Sequence, residues 1–169
     1  MPDSVSLSWQ LKVATEADVE PTLAHLTEHM NDQQKSAFGD KLVRYVRKPD
    51  RDLILAVEAG QVLGLICVID RAECSSSLPK QTVERLKNFA SSTQLLVHPR
   101  LRKQGIGNSL QLRAEQWAMG RGSRGLWLVT RQMAYWYRRH FGYEEVARTR
   151  VKHTEKIVMA KEFFQTNRG

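Results

Sequence analysis

Two glycines, Gly105 and Gly107, mark the point where the sequence changes from a strand pattern to a helix pattern. The segment 93–97 before them, which ends in Leu-Leu-Val, predicts a strand, and the apolar residues after them recur at helical spacing. This helical stripe consists of Ile106, Leu110, Ala114 and Trp117. A strand that turns directly into a helix is the building unit of sheets covered by helices, so this junction constrains the fold strongly.

The other patterns extend this expectation along the chain. Two apolar segments, 53–58 and 62–69, are joined by a tight turn at 59–61 and predict a β-hairpin. The further predicted elements are a strand at 9–13, helices at about 16–30, 32–47 and 79–89, a strand at 125–130, a helix at 132–140 and strands at 143–146 and 157–160. We therefore expect one α/β domain over residues 1–169, with a mixed central sheet flanked by helices on both faces.

Length and hydropathy exclude membrane-spanning proteins. The longest apolar run, 62–69, is much shorter than the roughly 20 residues that a membrane-spanning helix needs. The first eleven residues lack the charged start and apolar stretch of a secretory signal. We therefore expect a cytoplasmic protein with no membrane partner.

Cysteine and histidine spacing gives no metal site. Cys67 and Cys74 fit no structural zinc spacing and are too few for a disulfide scaffold, and we expect Cys67 in the core. His25 and His29 are four residues apart, a spacing that can bind metal, but no third ligand is evident nearby. We expect these histidines on a solvated helix face and predict no metal.

The chain is strongly basic, with 26 Lys+Arg against 18 Asp+Glu and a net charge of +8. This charge predicts attraction to polyanions, and nucleic acid, anionic lipid and a phosphorylated cofactor all stay open. Residues 135–139 mix aromatic and basic side chains, as single-strand nucleic-acid platforms do. In a helix that covers a sheet, however, these side chains point in different directions. We therefore expect some of them to pack in the core and the others to face solvent, and we do not favour nucleic acid as the partner.

The glycine junction suits an anionic ligand. The first turn of a helix has unpaired N–H groups and the positive end of the helix dipole, so a phosphate there meets several donors. Arg102 and Lys103 add positive charge, but Leu110 occupies the position of the third glycine in a dinucleotide-binding motif. The Gly-Lys-Ser/Thr end of a nucleoside-triphosphate loop is also missing. A plain strand-to-helix turn is the alternative interpretation.

The segment Arg102-Lys103-Gln104-Gly105-Ile106-Gly107 resembles the acyl-coenzyme A motif of GNAT N-acetyltransferases, Arg/Gln-x-x-Gly-x-Gly/Ala. The resemblance extends from the strand at 9–13 onward and is strongest over 93–143. It implies acetyl-CoA as acyl donor, a pyrophosphate held by the N–H groups of Gln104 to Asn108, and a pantetheine arm on a bulged fourth strand that splays from the fifth. The cofactor-binding residues that it implies are Leu95, Leu96, Val97, Arg102, Lys103, Gln104, Gly105, Ile106, Gly107 and Asn108.

The same resemblance implies direct transfer of the acetyl group to an amine, with the carbonyl polarised by an N–H near Val97. Relatives often carry a carboxylate base on the fourth strand, but residues 91–97 contain none. Asp70 and Glu73, acting through water, and His98 are the candidate bases, and each also fits an ordinary loop or turn role.

The position of the proton-donating tyrosine of relatives is occupied by Arg138, with Tyr137 one residue earlier. One helical residue is about 100° of rotation, so only one of them faces the thioester. We assign the role of proton donor to Tyr137. Two alternatives stay open: Arg138 stabilises the negative charge electrostatically, or Tyr137 only packs against the sheet.

The resulting hypothesis is an N-acetyltransferase that acts on a primary amine of a small molecule. A protein amine, an aminoacyl-tRNA amine and a non-catalytic acyl-CoA-binding module are the alternatives. Dimers are frequent in the family, so a homodimer also stays open.

Overall fold

The computed structural model describes residues 8–70 and 78–163. Within them it shows seven strands and five α-helices: β1 (Gln10–Val13), α1 (Val19–Leu26), α2 (Asp32–Arg47), β2 (Arg51–Glu58), β3 (Gln61–Ile69), α3 (Lys80–Leu86), β4 (Ala90–Val97), α4 (Ile106–Gly120), β5 (Gly125–Thr130), α5 (Ala134–Phe141), β6 (Glu144–Val151) and β7 (Thr154–Glu162). Short 3₁₀ turns lie at Glu16–Asp18 and Pro99–Leu101. The sheet order is β1-β2-β3-β4-β5-β7-β6, with parallel and antiparallel neighbours, which confirms the predicted mixed α/β fold.

The chain divides into two compact units. The first contains the described residues up to Cys67 together with Gln94–Ala114. β1 pairs antiparallel with β2, and the β2–β3 hairpin turns through Ala59 and Gly60, both with positive φ, as a two-residue hairpin requires. Apolar residues that are fully or almost fully buried form its core: Leu42, Leu53, Ile54, Leu55, Leu65, Ile66, Ile106 and Leu110.

The second unit contains Val68–Thr93 and the chain from Glu115 onward. Here the start of β4 pairs parallel with β5, while β7 pairs antiparallel with both β5 and β6. Gly125 lets β5 and β7 approach closely, because a Cβ there would overlap the Lys161 carbonyl oxygen on β7 and would lie 2.6 Å from Phe89 Cε2. The core cluster of this unit consists of Leu78, Leu86, Phe89, Trp127, Val158 and Ala160.

Two sequence-derived helices have different outcomes. The bounds of α2 match the prediction, and Asn31 and Gln34 form a reciprocal cap, with Asn31 Oδ1 accepting the Gln34 N–H at 2.8 Å. The first predicted helix was too long, because α1 ends at Leu26. Beyond it, Thr27 leaves helical geometry, and its hydroxyl donates back to the Leu23 carbonyl.

This early end changes the histidine pair. His29 lies in the turn beyond α1, so His25 and His29 do not share a helix face. His25 is half-buried and its Nδ1 accepts the backbone N–H of Val62 at 3.0 Å, so the expectation of a solvated helix face was wrong for His25. Cys67 is fully buried, as predicted, whereas Cys74 lies outside the described residues.

Strands were predicted too short at three places. β4 begins at Ala90 rather than at residue 93, and β6 and β7 extend well beyond 143–146 and 157–160. In the two described ranges, no helix has both the length and the apolar character that crossing a bilayer requires. The cytoplasmic location and the single domain stay predictions.

Candidate active site

The turn before α4 presents a set of unused backbone donors. Lys103 and Gly105 both have positive φ, +68° and +86°, and α4 starts directly afterwards at Ile106. The first N–H that bonds into the helix is that of Ser109, which reaches the Gly105 carbonyl at 3.0 Å. Among the described residues, the four N–H groups from Gly105 to Asn108 meet no protein acceptor. They are the donors with which a helix start binds an anion.

Positive charge surrounds these donors. Arg100, Arg102 and Lys103 are exposed, and none of them forms an ion pair with any residue that the structure describes. Their charge therefore stays available to a ligand. Alternating left-handed residues in a turn also orient successive N–H groups toward one concavity, which suits phosphate oxygens.

The chain enters the turn through a fixed corner at His98. The His98 N–H donates to the Leu63 carbonyl at 2.8 Å, and its Nδ1 accepts the Arg100 N–H at 3.2 Å. This side-chain cap stabilises the 3₁₀ turn at Pro99–Leu101. His98, a candidate base from sequence, thus has one ring nitrogen engaged in the turn.

β4 is interrupted at Gln94. Gln94 is exposed and has φ +54°, a left-handed conformation inside a strand, as occurs at β-bulges. The register of β4 with β5 consists of Ala90 opposite Leu126 and Ser91 opposite Trp127, both before this break. The structure thus contains the irregular fourth strand that the resemblance implies.

Beyond the break, the end of β4 packs closely on its neighbours in the first unit. A Cβ at Gly64 would lie 3.0 Å from the Leu96 carbonyl oxygen, so β3 and β4 approach one another closely there. A Cβ at Gly107 would lie 3.6 Å from Val97 Cγ2, so the end of β4 touches the start of α4. Leu95, Leu96 and Val97 are only half-buried although they are apolar. The structure therefore brings the two predicted cofactor-binding segments together.

The structure assigns no catalytic base among the candidate carboxylates that it describes. β4 carries no carboxylate, as the sequence indicated. Asp70 accepts a hydrogen bond from Ser123 Oγ at 3.4 Å in the second unit. Glu73 lies outside the described residues.

On α5, in the second unit, the neighbouring residues Tyr137 and Arg138 have different environments. Tyr137 is buried, with its ring edge-on to Trp136 at 4.8 Å and to Tyr143 at 5.7 Å between centroids. Burial raises the pKa of Tyr137 to about 12, because a phenolate would lose its hydration. Arg138 is exposed to solvent. The helix ends at Gly142, whose left-handed φ of +73° suits glycine.

Sequence analysis missed a buried polar cluster formed by Glu115, Tyr143 and Lys161. Glu115 on α4 is buried and accepts hydrogen bonds from Lys161 Nζ at 2.6 Å and from the Tyr143 hydroxyl at 3.2 Å. Tyr143 also donates its N–H to the Tyr137 carbonyl at 3.3 Å. One signal was available in the sequence: Gln111 and Glu115 are polar residues four apart, on the side of the helix that carries the apolar residues Leu110 and Ala114.

Comparison with known proteins then decides the family. Residues 14–143, most of the chain and including both cofactor-binding segments, match the acetyltransferase (GNAT) family. The chain belongs to the GNAT acetyltransferase family. A comparison with curated protein sequences gives no match.

Solved GNAT structures share this fold at low sequence identity. A paia N-acetyltransferase from Thermoplasma acidophilum in complex with coenzyme A is 15% identical with a TM-score of 0.67, covering 93% of this chain and 100% of that chain. An aminoglycoside 6'-N-acetyltransferase complexed with coenzyme A is 16% identical with a TM-score of 0.66, covering 90% and 96%. The ribosomal-protein-S18-alanine N-acetyltransferase from Escherichia coli is 14% identical with a TM-score of 0.65, covering 94% and 97%. At such identities the similarity shows the fold.

Proposed function

We propose that this GNAT protein transfers an acetyl group from acetyl-CoA to a primary amine of a small molecule. The observation that carries the proposal is the set of four N–H groups from Gly105 to Asn108 without a protein acceptor, at a positively charged helix start. The coenzyme A complexes of two similar structures support an acyl-CoA donor. Arg102 and Lys103 supplement the backbone donors with charge.

In this proposal the pyrophosphate lies on the turn at 104–108. Gly105 is needed for its left-handed conformation, and Gly107 for close approach of the ligand to the backbone. The helix dipole and the exposed arginine and lysine side chains act on the same charge, so they reinforce the hydrogen bonds. The N–H of Gln104 completes the donor set.

The pantetheine arm pairs with the backbone of Leu95 to Val97. These residues follow the break at Gln94, and their apolar side chains are half-buried, so a largely apolar arm covers surface that water otherwise meets. The arm then lies as an added strand, and its thioester comes near Val97. The Val97 N–H is our candidate donor to the thioester carbonyl oxygen.

The transfer step forms a C–N bond and breaks a C–S bond. The neutral amine attacks the thioester carbon, and coenzyme A leaves as a thiolate that takes up one proton while the amine nitrogen loses one. β4 has no carboxylate and His98 Nδ1 accepts the Arg100 N–H, so we propose that the amine proton leaves through water.

We propose that Tyr137 is the hydrogen-bond donor to the sulfur of the leaving coenzyme A. With a pKa raised to about 12, this phenol keeps its proton throughout the physiological range. A thiol of ordinary pKa near 8.5 is the stronger acid, so Tyr137 acts as a hydrogen-bond donor that stabilises the thiolate more than as a full proton source. The competing assignment gives this role to the charge of Arg138.

Two measurements test the proposal. Calorimetry with acetyl-CoA tests binding, and release of free coenzyme A thiol is then followed with small primary amines, peptides with free N-termini and aminoacyl-tRNA. We expect binding, and turnover fastest with a small amine. Fastest turnover with peptides or aminoacyl-tRNA would replace the small-molecule assignment, and binding without any turnover would identify an acyl-CoA-binding module.

A further inference from the structure

The second unit carries an excess of positive charge that its own acids do not neutralise. Residues 115–163 contain ten Lys/Arg and five Asp/Glu. Every one of these five carboxylates is already paired: Glu115 with Lys161, Glu144 with Arg85, Glu145 and Glu155 with Arg148, and Glu162 with Arg124. Within residues 115–163, no carboxylate is therefore left over for a further cation.

Six of these cations form no ion pair with any described residue: Arg131, Arg138, Arg139, Arg150, Lys152 and Lys156. Arg138 occupies the position of the proton-donating tyrosine of relatives, and Arg131 precedes α5, so neither belongs to the surface considered below. Of the other four, Arg139 lies on α5, and Arg150 and Lys152 lie on the β6–β7 hairpin. Lys156 is opposite Thr149 and Arg150 is opposite Glu155, so Lys156 lies on the other face of the hairpin and is not included. α5 packs against β7, which makes these elements neighbours within one unit.

One aromatic ring stands exposed on the same helix. Trp136 and Tyr137 pack inward, edge-on to one another, whereas Tyr135 is 66% exposed. Arg139 donates a 2.6 Å hydrogen bond to the Tyr135 hydroxyl and holds its guanidinium 5.9 Å from the ring centroid. The sequence could not show which of these rings is buried and which is exposed, because their directions depend on how α5 packs.

An exposed aromatic ring beside an arginine, with further free cations close by, matches what a single nucleic-acid strand needs. Its bases stack on aromatic faces and its phosphates bind Lys and Arg. An acidic peptide uses the cations but has no general need for the ring. An anionic membrane also uses the cations, but it favours several apolar side chains over one tyrosine paired with an arginine.

We propose that Tyr135, Arg139, Arg150 and Lys152, the basic face, bind single-stranded nucleic acid. Tyr135 stacks on a base, Arg139 fixes the ring and contacts a phosphate, and the hairpin cations follow the backbone. This binding does not depend on acetyl transfer.

Fluorescence anisotropy tests the proposal with a labelled oligouridylate of about twelve nucleotides, a size typical of such sites. The comparison ligands are an oligothymidylate of the same length, an RNA duplex, a polyglutamate peptide and phosphatidylserine vesicles. We expect both single strands to bind more tightly than the other three ligands. Tighter binding of either strand supports the proposal and identifies the sugar that the surface prefers.

Variants separate stacking from charge. Tyr135→Ala is expected to weaken binding by about tenfold, and Tyr135→Phe by much less, because phenylalanine keeps the stacking surface. Lys152→Gln is expected to lower the slope of log affinity against log salt by about 0.7, the effect of one lost phosphate contact on a single strand. Lys48→Gln is the matched charge control, because Lys48 is exposed in the first unit.

Two results overturn the proposal. One is wild-type affinity in both Tyr135→Ala and Arg139→Gln, with circular dichroism showing that both variants are folded. The other is binding of the polyglutamate peptide or the vesicles as tightly as the single strands, which would assign the basic face to a different partner.

Discussion

Lys161 on β7 donates a 2.6 Å hydrogen bond to the carboxylate of Glu115 on α4, 46 residues earlier in the chain. The Glu115 side chain is only 5% exposed, whereas that of Lys161 is 29% exposed. A carboxylate buried to this degree needs its partners, because an unpaired charge away from water is very unfavourable. The Tyr143 hydroxyl supplies the second donor and connects the pair to the aromatic residues around Tyr137.

Lys161→Met is expected to lower the free energy of unfolding by about 3 kcal/mol, because it leaves Glu115 buried with one donor fewer. Urea unfolding measures the change. Arg124→Met is the matched control: Arg124 pairs at 2.9 Å with Glu162, next to Lys161 on β7, but both side chains are more than half exposed. Its loss should cost less than about 1 kcal/mol. Equal losses in the two variants would contradict the view that burial decides the value of this ion pair.

Gly105→Ala is expected to weaken acetyl-CoA binding by at least about tenfold, because the left-handed turn that orients the donors becomes strained. Calorimetry measures the affinity, and thermal unfolding measures the stability. Gly122→Ala is the control, since Gly122 has a similar φ of +76°, equally open space around it and no place in the turn. Both variants should lose about 1 kcal/mol of stability, but only Gly105→Ala should lose affinity.

Tyr137→Phe is expected to lower kcat by about tenfold or more with little change in acetyl-CoA affinity, because it removes the donor to the leaving sulfur and leaves the phosphate turn intact. Arg138→Gln is the comparison variant on the neighbouring, exposed position. Steady-state kinetics on the best amine acceptor distinguishes them. A normal kcat in Tyr137→Phe with a reduced kcat in Arg138→Gln would transfer the role to Arg138.

Tyr137 should also make stability depend on alkaline pH. Its pKa is about 12 in the folded protein and 10.0 in the unfolded reference, so folding favours the protonated phenol. This contribution, about 3 kcal/mol at most, is complete below pH 10 and is lost as the pH rises from 10 to about 12. The difference in unfolding free energy between wild type and Tyr137→Phe, followed over this range, measures it. No change in that difference would show that the Tyr137 phenol is solvated.

Gly125→Ala is expected to destabilise the protein by about 3 kcal/mol or to prevent folding, because the new methyl group would overlap Phe89 and the Lys161 carbonyl. Thermal unfolding and solubility report the effect. At Gly120 on α4 nothing lies within 4 Å of an added Cβ. Gly120→Ala should therefore leave stability unchanged or raise it slightly.

Local signals gave the sequence analysis its most accurate results. The predicted bounds of α2, 32–47, match those observed, and Pro49 lies just beyond the helix end. The helix α4 starts within the glycine turn, at Ile106. The buried stripe on α4 is confirmed, because Ile106, Leu110, Ala114 and Trp117 are all buried. Each of these features depends on residues within a few positions of one another.

Other features depend on contacts between distant segments. His25 Nδ1 accepts the N–H of Val62 on β3, 37 residues later, a contact that no local pattern indicates. The left-handed conformation of Gln94 has no sequence signal, because the residue is neither glycine nor asparagine.

By itself, the sequence determined the strand-to-helix turn, its glycines and its positive charge, because these are local properties of backbone conformation and composition. The tertiary structure decided which side chains are buried and which are exposed: Tyr137 buried beside an exposed Arg138, Tyr135 facing solvent, and Glu115 paired with Lys161. These outcomes differ because helix rotation and strand pairing are fixed by packing over the whole unit. Neighbouring residues on a helix differ by about 100° in direction, so the rotation of the helix decides which of them is buried. Composition and spacing do not specify that rotation.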